Sequence, residues 1–206
     1  MNKALIKLLI VLSISSFSYA DNSDRYIEKN IANIIIENAK KYNIDTKVLF
    51  TIINIESAFN PFAIAVETSK NSAMKLKKLQ SDNIKIMISR TYHSKIWLVS
   101  IFPNKESDAI FIISLLKDMG FCFDVGLMQI NSGNFSKKEV AKMLYPSYNI
   151  NKGARILKQC TQMFKSFKHQ IECYNRGAGN LRKSLRKGGK YSPYFQQYIK
   201  KWKQEF

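Results

Sequence analysis

Glu56 is a carboxylate in an unlikely setting for one. It follows Ile52, Ile53 and Ile55, a run whose helical spacing heads inward, and precedes Ser57-Ala58-Phe59-Asn60-Pro61. A carboxyl in apolar surroundings resists ionisation because its charged form is poorly solvated. Such a group can serve as a general acid near neutral pH. Taken alone, the segment reads more readily as a solvated glutamate at a helix end, since most perturbed acids serve structure. Three other segments reverse that weighing. Asp124-Val125-Gly126-Leu127-Met128-Gln129-Ile130-Asn131 sets two amides in an apolar run, where buried amides demand partners. Cys173-Tyr174-Asn175-Arg176-Gly177-Ala178-Gly179 ends a helix with a polar pair and two glycines, which allow a ligand close to the backbone. Tyr194 and Tyr198 fall four residues apart and share one helix face.

Two carboxyls of different environment can divide general acid and general base work. Glu56 is the first nominee; Asp124 is a weaker second, preceding its motif rather than sitting in it.

Together the four segments resemble the soluble lytic transglycosylase family, whose domain is lysozyme-like. The Glu-Ser motif matches Glu56-Ser57, followed by Phe59-Asn60-Pro61 and Ala63. Gly-Leu-Met-Gln-Ile is intact from Gly126 to Ile130. Ala-Tyr-Asn-Ala-Gly reads here as Cys173-Tyr174-Asn175-Arg176-Gly177, and the terminal Tyr-(Val/Ile) element as Tyr198-Ile199. The 70 residues from Glu56 to Gly126, holding a hairpin and a helix, resemble in layout the lytic transglycosylases of type IV secretion and conjugation systems.

The resemblance implies one catalytic glutamate, Glu56, cleaving the bond between N-acetylmuramic acid and N-acetylglucosamine with closure of an anhydro ring. It implies substrate contacts from Ser57, Gln129, Asn131, Tyr174, Asn175 and Tyr198, with Tyr198 orienting the Glu56 carboxyl. It implies no metal and no cofactor. The implied partners are peptidoglycan strands and envelope proteins of a secretion machine. Arg176 stands where the family commonly has alanine, and its cation suits either stem-peptide carboxylates or the Glu56 carboxyl. A hydrolytic muramidase and a non-catalytic wall-binding scaffold remain as rivals on the same fold.

These residues need elements to hold them. Ile27, Ile31, Ile34 and Ile35 predict a helix over 24–40, and Asp45 is a natural N-cap for a second that carries Glu56. Residues 68–80 are Lys-rich with weak helical signal. Ile84–Ser89 and Ile96–Phe102 predict a β-hairpin around Arg90–Lys95. An isolated hairpin is marginal in water, so 84–103 is expected to lie as a flap on the helical body beside the groove, with Arg90, His93 and Lys95 near its tip. Ser107 is expected to cap a helix ended by Gly120, and Ser136-x-x-Glu139 to form the capping box of another. Helices over 150–166, 168–174 and 192–204 complete a mainly α, α+β single domain spanning 21–206 with one small hairpin insertion.

Composition sets outer limits. The 206 residues hold four Pro and eight Gly, which excludes collagen-like and linker-like chains. Two His and three Cys lack zinc-ligand spacing. The formal charge of +18 calls for an anionic partner. Residues 151–206 alone hold 14 Lys/Arg against Glu172 and Glu205. Nucleic acid is the rival partner, disfavoured because residues 1–20 read as a signal peptide: Lys3 and Lys7, an apolar run from Leu8, then Ser18-Tyr19-Ala20. A periplasmic, peptidoglycan-facing protein is the expectation, with the membrane only an exit route. There disulfides persist. Cys160 and Cys173 could join antiparallel helices, with Cys122 left over; three buried thiols are the alternative.

Overall fold

The computed structural model describes residues 22–91, 95–188 and 193–206, with side chains from Asn30 onward. The signal-peptide segment and His93 lie outside these residues. The chain forms two compact units, one of residues up to Ile55 together with Ala154–Phe206, the other Glu56–Gly153.

In the first unit, α1 (Asn22–Tyr42) buries Ile31, Ile35, Asn38 and Ala39 along one stripe. Asn43 ends it in a left-handed conformation (φ 50°), and the Ile44 amide returns to the Ala39 carbonyl at 2.9 Å. Asp45 then caps α2 (Thr46–Ser57) as expected, its carboxylate taking the Lys47 N–H at 2.8 Å. The helix is apolar almost all round, with Leu49, Ile52 and Ile53 fully buried. The end of α5 (Pro146–Met163) is followed by α6 (Phe167–Arg176), α7 (Ala178–Arg186) and α8 (Pro193–Glu205), with α6 packing on both α7 and α8.

The second unit is built on a sheet larger than the sequence suggests. The predicted hairpin forms as β2 (Ile84–Arg90) and β3 (Trp97–Pro103), but β3 also pairs along β1 (Ile64–Thr68), a strand with no clear sign in the sequence. Short β4 (Asp124–Val125) and β5 (Ile130–Asn131) extend the antiparallel sheet in the order β2-β3-β1-β4-β5. Register puts Ile86, Ile101, Ile64, Val125 and Ile130 in one row across all five strands, and every one is buried. Ile88, Val99 and Val66 form the next row on the same face.

The hairpin is thus the outer part of a larger sheet rather than a free-standing pair of strands. Its apolar face meets α3 (Lys70–Lys77), capped by Ser69, and α4 (Glu106–Asp118), the helices either side of it in sequence. The cap of α4 is Lys105 rather than Ser107, and its end is as expected: Gly120 adopts φ 72° while the Phe121 amide reaches back to Leu116 at 2.9 Å. The Ser136–Glu139 capping box also forms, but it opens a single 3-10 turn, Lys137–Glu139, rather than an α-helix.

Candidate active site

Glu56 occupies the last turn of α2, half-buried, with Ser57 behind it. The chain leaves the helix abruptly. Ala58 and Phe59 both take left-handed angles (φ 49° and 64°), which cost non-glycine residues roughly 1–2 kcal/mol each. Asn60 then turns the chain, its side-chain oxygen accepting the Phe62 N–H at 2.8 Å across Pro61. The Phe-Asn-Pro motif thus ends the helix sharply after Glu56 and sends the chain straight into β1.

The Gly126–Gln129 segment is the tight connection between β4 and β5. Gly126 (φ 79°) has no room for a side chain, since a Cβ there would stand 2.2 Å from Asn149 Nδ2. Gln129 is itself left-handed (φ 43°) and donates its amide to the carbonyls of Ala63 (3.0 Å) and Gly126 (2.9 Å). Its side-chain oxygen has no partner among the described residues, leaving an acceptor for a ligand N–H. Among the described residues, three of the four non-glycine left-handed positions therefore lie in the two segments nominated for chemistry, where stored strain is commonly found.

Ser57 joins the two segments. It is buried, and its hydroxyl donates to the Leu127 carbonyl at 2.9 Å. Asn131 is exposed on β5; its amide donates to Asp124 at 2.9 Å and its oxygen accepts the Gly133 N–H at 3.0 Å. Asp124 lies directly opposite Asn131 in the sheet, and burial pushes its carboxyl up to about 6, with Glu67 adding to the rise and the Asn131 hydrogen bond opposing it. Glu56, Ser57, Gln129, Asn131 and Asp124 all belong to the Glu56–Gly153 unit.

Tyr174, Asn175 and Tyr198 belong to the other unit. Tyr174 is half-buried and Asn175 exposed in the last turn of α6. The disulfide Cys160–Cys173 ties that turn to α5, while Cys122 is an exposed free thiol. Glu172, fully buried, accepts the Phe195 N–H in the first turn of α8 at 3.2 Å, where the positive end of the helix dipole favours a carboxylate. Arg176 faces Glu172 at 3.7 Å, so the departure from the family pattern supplies a counter-ion to a buried acid. Gly177 holds φ 78°, yet a Cβ added to it or to Gly179 would meet no heavy atom within 4 Å. Backbone angle, not crowding, requires the first glycine.

Tyr198 is 1% exposed, ringed by Phe167, Phe195 and Trp202. Burial, and then the charge of Asp45, raises its hydroxyl well above the ordinary phenol range, with Thr51 acting the other way. Although Thr51 is close enough to matter, its hydroxyl is given to the Lys47 carbonyl (2.8 Å), and the Tyr198 hydroxyl has no partner of hydrogen-bonding geometry among the described residues.

Sequence reasoning missed Asn149. It is 1% exposed and binds the backbone of the Gly126 turn. An asparagine just before an apolar helical stripe was the available signal, but one polar residue without a pattern does not reveal its partners. Among the described residues no group of His, Cys, Asp and Glu is arranged to hold a metal. The transglycosylase SLT domain model matches residues 33–196 of the chain. No curated protein and no solved structure matches it.

Proposed function

The chain belongs to the transglycosylase SLT family, lytic transglycosylases that act on peptidoglycan, and from that premise we propose that Glu56 is its catalytic acid and base. The observation carrying the proposal is the Ser57–Leu127 hydrogen bond, which joins the glutamate-bearing helix end to the Gly-Leu-Met-Gln-Ile turn. Protonated Glu56 gives its proton to the glycosidic oxygen between N-acetylmuramic acid and N-acetylglucosamine. The C1–O bond breaks, and the muramic acetamido group stabilises the cation left at C1. The resulting Glu56 carboxylate then takes the proton from the C6 hydroxyl of the same sugar as O6 bonds to C1. An anhydro ring closes, Glu56 is protonated again, and no water is consumed.

The Gln129 side-chain oxygen is suited to accept an acetamido N–H. Ser57 and Asn131 act by fixing the turn and strand around it. Tyr174 and Asn175 take the sugar contacts that the family motifs assign to them, while Tyr198, buried among aromatic rings, is left a packing role. The cationic surface of residues 151–206 concentrates a polymer bearing stem-peptide carboxylates. Export to the periplasm and local wall opening for a type IV secretion machine complete the proposal; the signal-like residues 1–20 and the long insertion between motifs support it.

One observation favours a hydrolytic muramidase instead. Asp124, with its carboxyl near 6, is a second acid in the same unit as Glu56 and could activate water.

Glu56→Gln keeps side-chain size and removes the transferable proton. Sacculus clearance is expected to fall about 10²–10⁴-fold with the circular dichroism spectrum unchanged. Activity within threefold of the parent would move the acid role to another residue.

A further inference from the structure

We propose that Asn149 is a positioning residue for the reaction, acting on Glu56 through the Gly126–Ile130 turn and Ser57. This rests on the assignment of Glu56 as the catalytic group.

Asn149 lies in the first turn of α5, and its amide is used at both ends. Oδ1 accepts the Met128 N–H at 2.8 Å, and Nδ2 donates to Val125 O (3.0 Å) and Met143 O (2.9 Å). It therefore grips the turn on both sides of Leu127. One helical turn on, Gly153 leaves space for Met128, whose sulfur would be 2.3 Å from any Cβ there. The opposite side of the turn is held by Gly126 N–H to Ala63 O at 2.8 Å and by the Gln129 amide. Between these grips the Leu127 carbonyl is presented to Ser57.

The start of α5 is itself staked. Glu139 accepts Tyr148 OH (2.7 Å) and Lys152 Nζ (2.8 Å), which flank Asn149 in sequence, while its other oxygen completes the Ser136 capping box. The Lys152 hydrogen bond, followed by those from Ser136 and Tyr148, holds the Glu139 carboxyl far below the usual range.

Only an amide meets the demand at position 149. Aspartate would turn an oxygen toward two carbonyl oxygens, and an apolar residue would leave an N–H and two carbonyls without their bonds. A shift of the turn moves Leu127 O, then Ser57, then the adjacent carboxyl. Misplacement near 1 Å can cost on the order of 10²-fold in rate.

The test compares Asn149→Asp, Asn149→Ser, Ser57→Ala and the double variant Ser57→Ala/Asn149→Ser on soluble glycan strands, well below each melting temperature. The expected results are kcat lowered on the order of 10²-fold for the Asn149 variants and less for Ser57→Ala. The double variant should be no slower than the worse single, because both act through one carbonyl. Unchanged kcat in folded Asn149 variants, or multiplicative losses in the double, would overturn the proposal. Should the Asn149 variants not fold, Ser57→Ala carries the test alone: a wild-type kcat there breaks the final link. Glu56→Gln run alongside separates the outcomes, since its retained activity would remove the premise rather than this inference.

Discussion

In residues 56–153 the turn beside Glu56 hangs on uncharged hydrogen bonds from Ser57, Gln129 and Asn149, whereas in the other unit Tyr174 and Tyr198 depend on a covalent bridge and a buried charge. There Cys173 and Glu172 immediately precede Tyr174, the first bonded to Cys160 and the second seated under the start of α8. The first arrangement is insensitive to redox conditions and asks only that every buried polar atom find its partner. The second relies on an oxidising environment and on the pairing of Glu172 with Arg176. The difference follows from the elements at hand. A five-stranded sheet supplies backbone carbonyls near the turn, while short helices α6, α7 and α8 join loops that need external anchors.

Breaking the covalent anchor should have the largest effect on stability. Reducing Cys160–Cys173, or replacing both cysteines with alanine, opens a loop of sequence separation 13 and should cost about 3 kcal/mol. Hydrogen exchange should then quicken in α6 and α7 while the amides of Gly126, Met128 and Ser132 keep their protection. Equal loss at those three amides would remove the distinction between the units.

A smaller loss is expected from Glu172→Ala. It frees the Phe195 N–H and removes the partner of Arg176, worth about 2 kcal/mol. Chemical denaturation would register this, and an unchanged midpoint would mean that α8 is anchored elsewhere.

The smallest change runs the other way. Asp124 has its carboxyl raised from 3.8 to about 6 by burial, so the folded state binds its proton more tightly than the unfolded state does. Below about pH 4 both states are protonated and nothing is lost; the cost grows between pH 4 and 6 and is complete above that. Asp124→Asn retains the bond to Asn131 and should stabilise the protein by ~1–2 kcal/mol at pH 7.5, with a much smaller gain at pH 4. Thermal melts at the two pH values decide it. Cleavage within threefold of the parent would also dismiss Asp124 as a second catalytic carboxylate.

What the sequence disclosed and concealed follows the range of the forces involved. The mainly α, lysozyme-like α+β class, the helix bearing Glu56, its Asp45 cap and the β2–β3 hairpin were all legible, because each is written in local spacing or a local cap. β1 was not. Its five residues, Ile-Ala-Val-Glu-Thr, carry too short an alternation, and it is a strand by virtue of partners 29 to 61 residues away. The capping box was legible as chemistry but not as length, since nothing within Ser136–Glu139 says how far the helix continues. Among site residues, the motifs located Gln129 and Ser57 but not what they bind. Both turn toward backbone carbonyls, which have no signature in sequence. Asn149 was invisible for the same reason.

The most direct test of the account is the chemistry of the ends that the enzyme leaves. Purified sacculi digested with the parent and with Glu56→Gln would be analysed by mass spectrometry of the released muropeptides. The account predicts anhydro-muramic ends from the parent, no reducing muramic ends, and neither product from Glu56→Gln. Chiefly reducing ends, or anhydro ends that persist in Glu56→Gln, would contradict it.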